Sequence, residues 1–239
     1  MAVLTVREIW RYPVKSIGGE RLDTAKVGEH GISGDRSWGV RDEMTGMVLT
    51  GRREPRLLMA TARLEDAEPV IEIGDGSLLR SSGELSAWLD RPVELVQAGH
   101  GPATFEGVSD IETERDWTTW QSPSGTFHDG RSTVSLGSDT TLAGYDPRRF
   151  RLNLILEHNG DGTEDDLLDA DLTIGTAGLY VRQPIERCVM VTRAQIGLDR
   201  DLGVLKRVIA ERNNRLGVGA VVHHEGLITV GDVVMPFPR

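Results

Sequence analysis

Apolar and polar positions alternate along much of the chain, in short runs separated by glycine and proline. Alternation puts every second side chain on one face of a strand, so the pattern predicts many short strands. The first run, "AVLTVREIWRYPVKS", is a strand that breaks at Pro13. From residue 21 to 65 short strands follow, punctuated by Gly31, Gly34, Gly46 and Gly51, with a hairpin turn at "MTGMV". "EPVIEIGDGSLLR" predicts a hairpin turning at Gly74–Asp75–Gly76, "GELSAWLD" a short helix and "PVELVQA" a strand. Residues 99–127 are polar with weak periodicity and predict a long loop with one short helix near "IETERDWTTW". "RSTVSLGSDTTLAGYD" then predicts a strand entering a helix, with Ser138 as N-cap.

The strand "RFRLNLIL" alternates, which places Arg151 and Asn153 on one face. The acidic stretch "EHNGDGTEDDLLDADL" is expected to be solvated surface. "TIGTAGLYVRQPIERCVMVTRA" supplies two more strands. "RDLGVLKRVIAERNNRLGV" is the best helix, with Leu202, Leu205, Val208 and Ile209 near helical spacing. "GAVVHHEGLITVGDVVMPFPR" closes the chain with two strands around a turn at Gly226. The sum is a mostly β (α+β) fold with a few helices and barrel character.

Composition sharpens this. The 28 glycines among 239 residues fit a turn-rich β protein. A net charge of -10 argues against a general nucleic-acid binder, which needs a basic surface. It leaves room for a local basic pocket around one anion. A single cysteine rules out an internal disulfide, an iron–sulfur cluster and an all-cysteine zinc site. The beginning, "MAVLTVREIW", lacks a basic segment followed by a long apolar one, so no signal peptide is expected. No window approaches the roughly 18 apolar residues of a membrane span. A reducing cytoplasm is the expected compartment, and a monomer the expected state, since no exposed apolar stripe is evident.

Neither a P-loop nor a dinucleotide-binding glycine pattern occurs, nor a nucleophile elbow or H-E-x-x-H. Adjacent His223 and His224 point to opposite faces of a strand and suit a turn edge better than a metal. Three polar clusters stand out. Lys15 and Ser16 follow the strand-ending proline, Arg36 lies in "GDR", and Arg148, Arg149, Arg151 and Asn153 surround one strand. Such residues combine charge with several donors, as a phosphate requires, although surface lysines and arginines are common in any soluble protein.

"RYPVKSIGG", "GDRSWGVRDEMTGMVLTGRREPRL", "RFRLNLIL", "RCVMVT" and "GLITVGDVV" occur in this order. Together they resemble proteins that join an N-terminal β-barrel domain to a molybdenum cofactor sulfurase C-terminal (MOSC) domain, among them the bacterial and mitochondrial amidoxime-reducing proteins. The resemblance runs from about residue 4 to 234. It implies an N-terminal β-barrel domain over residues 1–98, a variable loop or linker over 99–127 and a MOSC β-barrel domain over 128–239. It implies a molybdenum cofactor (molybdopterin with molybdenum), and no pyridoxal phosphate. Cys188 matches the cysteine that ligates the metal in the amidoxime-reducing members, preceded by Arg187. A soft thiolate suits a high-valent metal already held by a dithiolene. Lys15, Ser16 and Arg36 match residues that hold the pterin phosphate. Arg151 and Asn153 match the family's "FRPN", which reads "FRLN" here because Leu152 replaces the proline. The family's hydroxyl-bearing turn is matched by Ser138, Thr140 and Thr141. Family members often carry a cysteine after "YPVKS"; here Ile17 follows.

The activity implied is reduction of N-hydroxylated compounds: amidoximes, hydroxylamines or hydroxylated bases. Some bacterial relatives carry a ferredoxin-like domain at their C-terminus. This chain has no second cysteine, so electrons are expected from a separate protein, ferredoxin-like or a cytochrome/flavin reductase. Two other readings of the same thiol stay open. Cys188 beside Arg187 suits a persulfide carrier for metal–sulfur cofactor assembly. The pocket also suits a non-catalytic cofactor carrier. Without the other motifs, a lone cysteine is equally a small core hydrophobe.

Overall fold

The computed structural model describes residues 4–107, 116–158, 160 and 162–238. Seven strands close into a barrel. In spatial order they are Leu154–His158, Val134–Ser138, Arg215–His224, Ala177–Glu186, Ala170–Ile174, Val233–Pro238 and Leu4–Arg11, the last pairing back onto the first. Every pairing is antiparallel except that of 134–138 with 154–158. A parallel pair requires a crossover, and here it contains the helix Asp139–Leu142 and the 3-10 turn Pro147–Phe150. Inward positions of the strands, among them Leu4, Val6, Leu136, Leu154, Leu172, Leu179 and Val218, form one buried cluster. A bulge between Val6 and Glu8 shifts the inward parity of the first strand, so Ile9 is buried and the carboxylate of Glu8 is not lost inside.

The strand 4–11 therefore belongs by pairing to the barrel formed by residues 134–238, although a division at residue 98 assigns it to the first domain. A second core is built on the pair Trp38–Asp42 and Val93–Gln97, the sheet Ala60–Glu65, Glu68–Ile73 and Leu78–Leu79, and the helix Ser82–Trp88. That helix starts where the sequence places it because Ser81 and Glu84 form a capping box. The hairpin at Gly74–Gly76 also forms as expected.

Several expectations are corrected. Thr118–Gln121 is a strand paired with Thr104–Gly107, not a helix; residues 111–115 of that expected helix lie outside the described residues. The helix Gly203–Arg212 buries Val204 and Val208, whereas Leu202 and Ile209 are exposed. On strand 233–238 the outward residues Val233, Met235 and Phe237 form an exposed apolar stripe that the sequence reading did not register, which removes the ground given for a monomer. No helix among the described residues is long and apolar enough to cross a membrane.

The acidic stretch after residue 158 is not all solvated. Glu164 is fully buried. Its Oε2 accepts from Ser138 N at 3.1 Å, from Ser138 Oγ at 2.7 Å and from the Thr141 hydroxyl. Its Oε1 accepts from Gly217 N at 2.9 Å and Arg212 Nη2 at 3.4 Å. One carboxylate thus joins the strand-to-helix turn at 138 to strand 215–224 and to the last helix. Glu164→Ala leaves these donors unpaired and is predicted to destabilise the fold by about 3 kcal/mol. The expected readout is a lower urea midpoint at unchanged m-value; a shift worth less than about 1 kcal/mol contradicts the assignment.

Candidate functional site

The strand 4–11 ends at Tyr12-Pro13, and the chain that follows is pinned on both sides by the fully buried Val14 and Ile17. Lys15 and Ser16 are forced between these anchors. Ser16 takes a left-handed backbone (φ 67) and its Oγ accepts from Gly51 N at 2.9 Å. Lys15 is buried, with Nζ donating to Phe127 O at 3.1 Å and Asp129 Oδ1 at 2.7 Å, and lying 4.2 Å from the Phe105 ring centroid. Burial pulls its pKa down against the opposing pull of Asp129.

Arg36 and Arg151 meet over one aromatic ring. Both have left-handed backbones, φ 47 and φ 51. Their guanidinium carbons lie 4.9 and 4.4 Å from the Tyr12 centroid. Arg36 pairs with buried Asp35, and its Nη2 donates to Arg151 O at 3.0 Å. Arg151 donates from Nη1 to Ile17 O at 2.5 Å and has no ion pair among the described residues. Burial first, and then the charge of Arg36, pull Arg151 down to about 10, still cationic at neutral pH. Burial pushes the Tyr12 hydroxyl well up, so the ring stays neutral, and its Oη donates to Leu152 O at 3.2 Å. Asn153 is buried, its Oδ1 accepting from Ser135 Oγ at 2.9 Å and its Nδ2 donating to Trp10 O at 3.2 Å.

Strand 177–186 delivers Arg187 and Cys188. Arg187 Nε donates to Leu216 O at 2.7 Å and Nη1 to Phe150 O at 2.9 Å, while buried Nη2 has no partner. Burial pulls this side chain to about 10 as well. Gly217 lies beside it at φ 84; a Cβ there would stand 3.0 Å from Arg187 Nη2 and 2.8 Å from Leu152 Cδ2. Cys188 caps the 3-10 turn Val189–Thr192, whose Val191 and Thr192 are buried. The cysteine itself is exposed, so it is not a core hydrophobe. Arg52 Nη2 donates to its Sγ at 3.2 Å.

Lys15, Ser16, Arg36, Arg52, Arg151, Asn153, Arg187 and Cys188 line one cleft of about 780 Å³, within the usual range for small-molecule sites. Lys15 and Arg36 have carboxylate partners; Arg52, Arg151 and Arg187 have none among the described ion pairs. The cleft is thus positive inside an acidic protein, with buried N–H groups on Arg52 and Arg187 that lack acceptors. No three His, Cys, Asp or Glu side chains converge on a metal site among the described residues. Cys188 could supply one thiolate to a metal whose other ligands arrive with it. An anionic, metal-bearing organic group fits this donor set.

Residues 3–121 match the MOSC N-terminal beta barrel domain, and residues 131–235 match the MOSC domain. The chain belongs to the MOSC family. It is 42% identical to mitochondrial amidoxime reducing component 2 of Bos taurus over 66 residues, 26% of this chain and 19% of that protein. It is 23% identical to molybdenum cofactor sulfurase of Homo sapiens over 298 aligned residues, covering 97% of this chain and 32% of that one. The chain spans at most about a third of the length of these relatives. The crystal structure of the YUAD protein from Bacillus subtilis aligns with TM-score 0.50 at 11% identity, over 98% of this chain and 97% of that one, a likeness of fold alone.

The MOSC cleft is composite. Lys15, Ser16, Arg36 and Arg52 come from the first matched region, and Arg151, Asn153, Arg187 and Cys188 from the second. Arg151 and Asn153 share the cleft, but not by strand alternation: the strand begins at Leu154, and the left-handed turn at Arg151 aims it inward. Ser138 and Thr140 are not in the cleft lining. Ser138 is spent on Glu164 and on the helix cap, and Thr140 lies on the exposed side of that helix. Arg52, His128, Asp129 and Trp120 line the cleft and were not singled out from sequence. Arg52 lies in the quoted "TGRREPRL", and His128 follows the polar stretch that carried no readable pattern.

His128 is buried, with Nε2 unbonded and 3.6 Å from Asp35 Oδ2. Burial, then Arg36, lowers its pKa from 6.5 to about 4. The unfolded chain takes up the proton that the folded chain refuses, so stability falls as pH drops from about 6.5 through about 4. Between pH 7 and pH 5 the loss from this group is predicted at about 2 kcal/mol. Urea unfolding of His128→Gln at both pH values checks this: the variant should lose less stability than wild type, and equal losses contradict the assignment.

Proposed function

We propose that this MOSC protein binds a molybdenum cofactor and reduces N-hydroxylated compounds, with electrons from a separate donor protein, ferredoxin-like or a cytochrome/flavin reductase. The observation that carries the proposal is the single exposed thiol of Cys188 in a cleft ringed by Lys15, Arg36, Arg52, Arg151 and Arg187. The bovine relative's name refers to amidoxime reduction and the human relative's to the molybdenum cofactor, which supports the reading.

The cofactor, when bound, would supply two-electron redox chemistry at a metal beside the substrate. Converting N–OH to N–H with release of water consumes two electrons and two protons, so a reductant is required. Cys188 would hold the metal as a thiolate. Lys15, Ser16, Arg36, Arg151 and Asn153 would hold the anionic part, with the Tyr12 ring against both guanidinium groups. Arg187 N is anchored on Asn214 O at 2.9 Å, which fixes the backbone beside the thiol. Such a free thiol is best kept in a reducing compartment such as the cytoplasm.

A second reading makes Cys188 a persulfide carrier; the exposed Sγ with Arg52 against it favours this. A non-catalytic carrier of the cofactor is the third outcome. Elemental analysis of protein from a cofactor-competent host separates them. About one molybdenum per chain is expected, lost in Cys188→Ser and lowered roughly tenfold after dialysis in Arg151→Gln. Bound molybdenum without turnover of any N-hydroxy compound under artificial reductants leaves the carrier. No molybdenum in wild type, with a persulfide mass on Cys188 after incubation with a cysteine desulfurase, replaces the enzyme by the sulfur carrier.

A further inference from the structure

The segment "TGRREPRL" contains three arginines, Arg52, Arg53 and Arg56. Two are spent on carboxylates: Arg53 Nε lies 3.2 Å from Glu106 Oε2, and Arg56 Nε 2.7 Å from Glu54 Oε1. Arg52 has no carboxylate partner among the described residues. Its Nη2 donates to Cys188 Sγ at 3.2 Å, and its Nε is buried without an acceptor. The guanidinium is backed by Trp120, with its carbon 5.6 Å from the ring centroid. Trp120 is held in turn edge-on to fully buried Phe105 at 5.7 Å. With 37 acidic side chains against 27 lysines and arginines, the chain has no shortage of carboxylates to pair with it.

A planar cation with unspent donors is therefore fixed beside the only thiol, and both line the cleft. Arg187 Nη2, also buried and without an acceptor, belongs to a further positive group of the same cleft. We propose that Arg52 makes the thiol side of the cleft a recognition site for anionic small molecules. A carboxylate or similar planar oxyanion sits on the free donors of Arg52, and the atom next to it meets Cys188 Sγ. Guanidinium groups suit this task because two N–H bonds can meet two oxygens in parallel. Arg52 is then a specificity residue, distinct from the groups proposed to anchor a phosphate. The inference concerns this chain's own residues and does not rest on the cofactor reading.

Because Cys188 is the only cysteine, alkylation of the full chain reports on it alone through intact mass. The protein is produced in cells unable to make a molybdenum cofactor, and is treated with iodoacetate or iodoacetamide, which differ chiefly in charge. Both reagents attack the same thiolate, so the ratio of their rates cancels its ionisation. Relative to glutathione in the same buffer, wild type is expected to favour iodoacetate by about fivefold or more, the effect of one opposite charge at contact distance. Arg52→Gln should lose that preference and Arg52→Lys should keep most of it. Arg53→Gln should leave it unchanged, and added salt should erode it in wild type. A wild-type ratio equal to that of glutathione overturns the proposal. So does a ratio in Arg52→Gln within about twofold of wild type, or failure of either reagent to modify the native thiol. Where Arg52→Gln does not unfold cooperatively in urea, the salt titration and Arg52→Lys decide: a preference indifferent to salt overturns the proposal.

Discussion

Two guanidinium groups are held against the ring of a single tyrosine, and the rest of the cleft depends on their being held there. Arg36 and Arg151 repel each other, and each would relax into solvent if its backbone allowed. The left-handed turns at both residues do not allow it. The Tyr12 ring lies within cation–π distance of both, buried Asp35 neutralises one, and main-chain carbonyls of Ile17 and Arg151 take up donors that no carboxylate claims. The fold spends stability to keep positive charge out of water. That is the electrostatic signature of preorganisation for an anion, in which the cost of gathering the charges is met during folding rather than on binding.

The thiol is placed by different means. Cys188 begins a 3-10 turn whose next residues dive into the small core beneath it, so the side chain at the start of the turn has nowhere to go but outward. Arg187 before it donates to three main-chain carbonyls on neighbouring segments. Sγ is thus carried on a backbone anchored to its neighbours, exposed to the cleft and held by Arg52. Joining this element to Lys15, Ser16 and Arg36 requires both matched regions of the chain, so neither region alone has the cleft.

Much of the architecture was legible because its causes are local. Pro13 follows the end of the first strand, the Ser81–Glu84 box starts a helix, and glycines at 74 and 76 turn a hairpin. The cofactor-type residues were legible only through family motifs, since lysines and arginines on a surface carry no signal of their own. What escaped reading depends on partners far along the chain. Glu164 looks like one more acid in an acidic loop; its burial follows from donors at Ser138 and Gly217, 26 and 53 positions away. Ser138 matched a motif but is consumed by that same carboxylate. Arg52 is indistinguishable in sequence from Arg53, and only the positions of Glu106 and Cys188 separate their roles.

The pairing of strand 4–11 with 154–158 and 233–238 also bears on the timing of assembly. The earliest part of the barrel to be synthesised has to wait for the latest part before its edges are satisfied. Such non-local pairing is slow, and it leaves an apolar strand exposed in the meantime. Tyr12, Lys15 and Ser16 hang from the end of that waiting strand. The cleft consequently takes shape only once strands 154–158 and 233–238 have joined strand 4–11.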